Sequence, residues 1–246
     1  MRLLLSILAI GAGLLSASQT EAGLSGSRLA EYREDVRSYA TCTVRNHHDR
    51  ARELVLANVD NHTMERKFAD IYTSKKLAFI FGCKELMLRG DQGIVVDPDL
   101  YRASLADVLV NKDLKVVEVG SFDSVGPLTH LAPQSASDFE AAYAKARSNA
   151  AKETVKKARD ASVAKAWLSQ FGECVVRRDQ ATAKEWLLTK PESAEEASAI
   201  GKATPALGAC LVAGEKLTFD KHVLRGTVAI NYYRLAMAKS QAGVSR

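Results

Sequence analysis

The chain has 246 residues, 47% of them hydrophobic, which suffices for the packed core of one large domain or two small ones. Its formal net charge of +5 comes from 34 basic and 29 acidic residues that are interspersed along the sequence. This mild basic excess favours association with an acidic envelope surface, but it lacks the clustered cations of a nucleic-acid-binding protein. The composition therefore predicts a globular protein without a nucleic-acid partner.

The N-terminus has the pattern of a secretory signal peptide, which we place at residues 1–22. Arg2 precedes an apolar run over residues 3–15, and small residues follow, with candidate cleavage sites after Ala17 and Ala22. A membrane anchor needs about 20 apolar residues, and this run is shorter. We therefore predict an exported protein that keeps no transmembrane anchor after signal cleavage.

The remainder of the chain contains two segments with related sequences. The stretch from Tyr39 to Leu56 aligns without a gap on the stretch from Phe171 to Leu188, and residues 94–106 align on residues 217–229. The identical pairs are Cys42/Cys174, Val44/Val176, Arg45/Arg177, Ala51/Ala183, Glu53/Glu185, Leu56/Leu188, Asp97/Asp220, Arg102/Arg225 and Ala106/Ala229. The alignment predicts a tandem duplication of one helical unit.

Helical patterns predominate in both predicted repeats, repeat 1 over residues 27–110 and repeat 2 over residues 171–240. In each, apolar residues recur at the three-to-four spacing of a helix with one buried face. Near its end, each repeat has a short extended run that leads into an aspartate, Asp97 or Asp220, and then another helix. An aspartate in this position accepts hydrogen bonds from the first N–H groups of the helix, so we interpret both as helix caps. The predicted fold class is mostly α with short extended segments.

Two different segments separate the predicted repeats. Residues 111–136 form a linker with one strand-like run from Leu114 to Val119. Residues 137–170 begin with a capping-box pattern and are rich in Ala, Lys and Glu, so they predict one long helix that joins the repeats. The basic residues of this helix are expected on its solvated face. They are Lys145, Arg147, Lys152, Lys156, Lys157 and Arg159.

Each predicted repeat contains two cysteines, Cys42 and Cys83 in the first and Cys174 and Cys210 in the second. Four cysteines allow three disulfide connectivities, and spacing alone does not choose among them. If the repeats share a fold, one disulfide within each repeat is the self-consistent choice, and an oxidising compartment would preserve it. A zinc site built from all four cysteines is the alternative, but no CxxC spacing supports it.

Charged residues that recur in both repeats have two interpretations. Paired arginines suit an anion pocket, because the guanidinium fork matches carboxylate and phosphate. The alternative is a structural ion pair, or an aliphatic stem packed over the core, repeated because the fold is repeated. The duplication favours the structural interpretation for these pairs, which are Arg45/Arg177, Arg102/Arg225 and Glu53/Glu185.

The most distinctive group of metal-ligating or catalytic residue types in the sequence is His47, His48 and Asp49, with His62 nearby. Imidazole and carboxylate groups are ligands for zinc or nickel. Adjacent residues on a helix point about 100° apart, however, so two neighbouring histidines seldom reach one ion. The aligned positions 179–181 of repeat 2 hold different residues. We therefore interpret the cluster as solvated polar side chains and keep metal binding as the alternative.

The motifs FGECVVRRD, at residues 171–179, and ALGACL, at residues 206–211, resemble those of small exported proteins of alphaproteobacteria that have no assigned function. The resemblance covers chiefly repeat 2, because repeat 1 has TCTVRNHHD and FGCKEL in the corresponding places. It implies a Gram-negative periplasmic location, and it carries no catalytic residue over to this chain.

No nucleophile elbow, P-loop or dinucleotide-binding glycine pattern occurs in the sequence. We therefore predict a non-catalytic binding or interaction protein of the periplasm, without a cofactor, whose candidate partner is an envelope protein. Two alternatives remain open. One is a metal-assisted hydrolase that uses the histidine cluster, and the other is a small-ligand carrier with its pocket between the repeats.

Overall fold

The computed structural model describes residues 26–72, 97–211 and 220–244, and every regular element in these ranges is an α-helix. The helices are α1 (Gly26–Asn46), α2 (His48–Leu56), α3 (Asn61–Lys67), α4 (Ala69–Tyr72), α5 (Pro98–Asp113), α6 (Ala136–Lys145), α7 (Asn149–Arg178), α8 (Gln180–Leu188), α9 (Ala194–Ala209) and α10 (Lys221–Val244). The prediction of a mostly α fold is confirmed. The predicted signal peptide and the extended runs before Asp97 and Asp220 lie outside the described residues.

The predicted long helix that joins the repeats is present, but it begins at Asn149 and not at residue 137, because a separate helix covers the first part of the segment. Helix α6 ends at Lys145, the backbone of Ala146 is extended, and α7 begins at Asn149. The side chain of Ser148 accepts a hydrogen bond from the amide of Ala151 at 3.1 Å, so this serine starts a new helix. Helix α7 then runs without a break past residue 170, and the predicted boundary of repeat 2 falls inside it.

The strand-like run from Leu114 to Val119 does not form a strand. Leu114 follows α5 and is buried in the core, whereas Val116 is 90% exposed. A single extended run leaves backbone groups that need a partner strand, and no segment in the described ranges supplies one. Instead, the carbonyl of Val117 accepts a hydrogen bond from Lys184 in α8 at 2.8 Å.

Helices α5 and α10 form the centre of the fold. Helix α10 packs against both α5 and α7, and α5 packs against α1 and α2. The fully buried side chains of α5 and α10 belong to one continuous core that includes residues of both predicted repeats. The largest of them in these two helices are Tyr101, Leu105, Leu109, Tyr232, Tyr233 and Leu235.

Helix bounds correspond between the two predicted repeats. Helix α1 ends at Asn46 and α7 ends at Arg178, which are aligned positions, and α2 and α8 end at the aligned Leu56 and Leu188. Contacts correspond too, because α1 packs on α5 much as α7 packs on α10. These observations agree with a duplication, which itself stays a prediction.

A disulfide between Cys174 and Cys210 joins α7 to the end of α9, with the Cα atoms 5.9 Å apart. This is the bond that the repeat alignment predicts for the second half. Cys42 is also disulfide-bonded, and its predicted partner, Cys83, lies outside the described residues. Closing a loop of this length contributes about 3–4 kcal/mol in the chain-entropy model.

Glycines allow the central helices to approach closely. A Cβ atom added at Gly226 of α10 would lie 2.4 Å from the Cβ atom of Ala103 in α5. A Cβ atom added at Gly172 of α7 would lie 2.8 Å from the carbonyl oxygen of Thr227 in α10. Both distances are far below van der Waals contact, so a larger residue requires the helices to move apart.

We expect Gly226→Ala to destabilise the protein, although alanine is the better helix former. Overpacking costs about 1–3 kcal/mol, which exceeds the gain in helix propensity of about 1 kcal/mol. Gly201→Ala in α9 is the matched control, because no atom lies within 4 Å of its added Cβ, and it should stabilise. Urea unfolding of both variants tests this. Equal stabilisation by the two substitutions would show that α10 and α5 are not closely packed at Gly226.

Candidate functional site

The predicted histidine cluster is divided among separate contacts. Nε2 of His48 lies 2.8 Å from Asp113, and the same carboxylate accepts the hydroxyl of Tyr233 at 2.6 Å. Asp49 is 3.3 Å from Nδ1 of His48, but its side chain is 99% exposed. His62 is also exposed. The arrangement thus joins α2, α5 and α10 rather than gathering ligands around one point.

Metal binding by this cluster finds no support in the geometry. His47 is half-buried at the start of α2 and its side chain makes no capping hydrogen bond there. In the ranges that the structure describes, no group of three or more His, Cys, Asp or Glu side chains is placed to hold a metal ion. Burial raises the pKa of Tyr233 far above its ordinary value, and the bond to Asp113 raises it further, so this phenol remains a donor.

The recurring pair Arg102/Arg225 has the same structural role in both halves. Each arginine lies in the helix that closes its repeat and donates hydrogen bonds to carbonyls at the C-terminus of the short second helix. The acceptors are the carbonyls of Val55 and Ala57 for Arg102, and those of Leu187 and Thr189 for Arg225. These acceptors occupy aligned positions. The geometry thus favours the structural interpretation over an anion pocket.

Arg225 is also the centre of a buried ion cluster. Its guanidinium donates to Asp107 of α5 at 2.7 Å and to Glu196 of α9 at 2.9 Å. Arg37 of α1 donates to the other oxygen of Asp107 at 2.6 Å. The side chains of Arg225, Asp107 and Glu196 are at most 6% exposed. Two cations and two carboxylates therefore balance in charge and connect four helices, with Arg37 at the partly exposed edge of the cluster.

Arg102 has less electrostatic compensation than Arg225. Burial lowers its pKa to about 10, and the nearby cation Arg234 acts in the same direction. At neutral pH the guanidinium is still charged, and its charge is satisfied largely by the carbonyls at the end of α2. A cation beside the C-terminus of a helix also interacts favourably with the helix dipole.

We expect Arg225→Met to cost roughly 3–5 kcal/mol, because it leaves the buried Glu196 without its cation and Asp107 with Arg37 alone. Arg225→Lys should recover only part of this loss, since an ammonium group cannot make the forked bonds of a guanidinium. Arg178→Met removes an exposed arginine and is the control. Denaturant unfolding measures all three, and a cost for Arg225→Met no larger than the control would contradict the assignment.

The pair Glu53/Glu185 connects each second helix to the one that follows. Glu53 lies 3.1 Å from Lys67 of α3 and also contacts Arg50, while Glu185 contacts Lys202 of α9. All these carboxylates are about half exposed, so the ion pairs are worth at most about 1 kcal/mol each.

Arg45 and Arg177 differ in environment despite their alignment. Arg45 is exposed, whereas Arg177 donates to three carbonyls of the linker at 2.7–3.0 Å. Those carbonyls belong to Phe122, Val125 and Gly126. Arg177 also donates to Glu173, one turn earlier in α7, at 2.7 Å. The arginine of the second half therefore attaches the linker to α7.

A second polar cluster surrounds Glu173 and was not predicted from the sequence. Nε2 of His130 lies 2.6 Å from Glu173, and Nδ1 of the same ring lies 2.6 Å from the hydroxyl of Ser169. The amide of Leu128 donates to Glu173 at 3.0 Å. Burial raises the pKa of Glu173, but the hydrogen bonds from Leu128, Arg177 and His130 outweigh it, so the pKa lies below its ordinary value.

The donors and acceptors of this cluster follow from the charge of Glu173. Because an ionised carboxylate only accepts hydrogen bonds, Nε2 of His130 donates to Glu173. In the tautomer with its single proton on Nε2, Nδ1 accepts a hydrogen bond from the hydroxyl of Ser169. Serine, histidine and carboxylate in this order also occur in hydrolase triads. Here Ser169 and Glu173 are one turn apart on the same helix, and the carboxylate is engaged with the linker backbone. We interpret the cluster as the attachment of the linker to α7.

Stability should depend on pH through Glu173. Its folded pKa lies below the ordinary 4.5, so its ionisation stabilises the folded state above about pH 4.5 and the effect is lost as pH falls through the folded pKa. We expect Glu173→Gln to cost about 1–3 kcal/mol at pH 7, with the difference shrinking at lower pH. Urea unfolding at pH 7 and pH 3.5, with exposed Glu140→Gln as control, measures this. If Glu173→Gln lowers the free energy of unfolding by the same amount at pH 7 and at pH 3.5, the assigned role of the ionised carboxylate is wrong.

Residues 136–165, α6 and the first half of α7, form a segment that we call the helical arm. No residue of α6 is buried, and the first buried residue of α7 is Ala166. Helix α7 thus extends roughly 25 Å before it enters the core, at 1.5 Å per residue. Helix α6 packs against α7.

The helical arm is held together by its own side chains. The rings of Phe139 and Tyr143 lie 5.6 Å apart on α6. Arg159 of α7 lies 4.4 Å from the centre of the Phe139 ring, and Lys152 lies 5.3 Å from that of Tyr143. Such cation–π contacts contribute about 0.5–1 kcal/mol each at exposed sites. At its base, Lys165 pairs with Asp99 of α5 at 2.6 Å.

Comparisons with known proteins find no match, whether with family models, curated proteins or solved structures. Among the described helices, none has both the length and the apolar composition needed to cross a membrane.

Proposed function

We propose that this protein is a non-catalytic interaction protein of the periplasm and that the helical arm is its binding element. The observation that carries the proposal is the contrast between arm and core. Every described helix except α6 belongs to or packs on the core, whereas the arm contributes no buried residue.

Burial of side chains in the core does not explain why the helical arm is ordered. Ordering each of its residues costs on the order of 1–2 kcal/mol of backbone entropy, and it buries no side chain in return. Serine caps at Ser135 and Ser148 and the cation–π contacts compensate part of that cost. A surface element that is ordered by its own contacts presents a preformed surface, which lowers the entropy lost on binding.

The proposed location rests on two features. The disulfide between Cys174 and Cys210 is of the kind that persists in oxidising compartments. Residues 1–22 have the sequence pattern of a signal peptide. An envelope protein is therefore the partner that we propose.

Site-specific photo-crosslinking in the periplasm of the native host tests the proposal. A benzophenone side chain at Ala158, exposed on the arm, should give one discrete protein adduct. The same group at Lys190, exposed between α8 and α9, is the matched control and should give none. Absence of an adduct from the arm, or the same adduct from both positions, would contradict the proposal.

A further inference from the structure

The far end of the helical arm has a different charge from the rest of the molecule. Residues 145–157, which we call the arm tip, include the turn between α6 and α7. This segment contains a single carboxylate, Glu153. Its cations are Lys145, Arg147, Lys152, Lys156 and Lys157, all exposed except the half-buried Lys152. Five cations and one carboxylate make the tip strongly basic, whereas the whole chain carries only +5.

The cations surround the tip and do not lie on one flat face. Lys152 and Lys156 are one turn apart and both lie over the ring of Tyr143, at 5.3 and 5.8 Å from its centre. Lys157 points about 100° away from Lys156 around α7. Lys145 ends α6 on the other side of the turn. A flat anionic surface would reach only some of these groups, whereas a concave surface would reach them all.

The arm tip also lacks apolar side chains for insertion into a membrane. In the part of the chain that the structure describes, the exposed large hydrophobic residues are Val116, Val117 and Val163, and none of them belongs to the tip. Helices that bind membrane interfaces combine cations with exposed Trp, Phe or Leu. The aromatic residues of the arm lie beneath its cations instead.

We infer that the arm tip binds an acidic cleft on an envelope protein and that the contact is mainly electrostatic. This inference rests on the proposed function and names the chemistry of its partner. The carboxylates of such a cleft would meet cations from both helices and from the turn. Exposed charges of this kind act chiefly on the association rate and on specificity, and their effect falls with salt.

A matched pair of triple variants tests the inference. The tip variant is Lys145→Gln, Arg147→Gln and Lys157→Gln, which leaves the two lysines over Tyr143 in place. The control variant is Lys115→Gln, Arg178→Gln and Lys190→Gln, all exposed outside the arm. Both variants lose the same net charge. Among the described residues, neither set forms an ion pair, so both should fold; circular dichroism checks this.

The probe is a fluorescent peptide of ten glutamates, and binding is measured by fluorescence anisotropy at low salt. We expect the tip variant to bind about tenfold more weakly, because it loses three exposed cations that each attract the peptide only modestly. The control variant should change less than twofold, and 0.5 M salt should abolish binding of the wild type. Equal weakening of both variants, or no binding by the wild type, would overturn the inference.

Vesicles of phosphatidylglycerol and phosphatidylcholine distinguish a lipid partner. Binding to these vesicles that depends on the tip, without binding to the peptide, would also overturn the inference. These outcomes are separable from the proposed function. If the photo-crosslink at Ala158 captures a protein but the tip variant still forms that adduct, the interaction protein stands and the acidic cleft is wrong.

Discussion

The fold depends on one buried charge, the guanidinium of Arg225, and on the groups that satisfy it. Asp107, Glu196 and the carbonyl ends of α8 all converge on it, and Arg37 completes the charge balance. Four helices and a helix terminus are thus fixed relative to one another by directional bonds. A buried ion pair adds little net stability compared with apolar residues, but breaking it is costly. Its main consequence is therefore a defined arrangement of the helices.

Around this centre the molecule has two parts with opposite physical character. The core is largely apolar and closely packed, with glycines such as Gly226 where helices cross. The helical arm has no fully buried residue and is charged at its tip. The linker that precedes the arm is fastened to α7 by His130, Glu173 and Arg177. This attachment fixes the chain on one side of the arm, so the arm begins from a defined position.

Sequence patterns predicted the elements that depend on local chemistry. The aspartates before α5 and α10 have capping contacts, with Asp97 accepting the amide of Leu100 and Asp220 that of His222. The break between α6 and α7 also has a sequence signal, because Ser148 is a residue type that caps helices. The residues around it favour helix formation, and the sequence pattern therefore predicted one continuous helix. The strand predicted after α5 does not form, because a strand needs a partner strand from elsewhere in the chain and a local sequence pattern cannot show whether one exists.

The polar clusters could not be predicted, because their members are far apart in sequence. Asp107 and Arg225 are 118 positions apart, and His130 and Glu173 are joined only because the linker folds back on α7. One signal existed for Asp107, a carboxylate between apolar residues of α5 that face the core, since such a group must have a partner. His47 and His48 suggested a metal site because they are adjacent in sequence. Adjacent residues of a helix point in different directions, so their side chains do not meet at one ion.

Native-state hydrogen exchange, read by mass spectrometry, tests most directly whether the arm is separate from the core. Amides of α5 and α10 near Arg225 should exchange only through global unfolding, and their protection should fall in Arg225→Lys. Amides of α6 and the first half of α7 should exchange through local opening and be unaffected by that substitution. Protection of the arm equal to that of α10, falling with it in the variant, would show that the arm is part of the cooperative core and contradict the account.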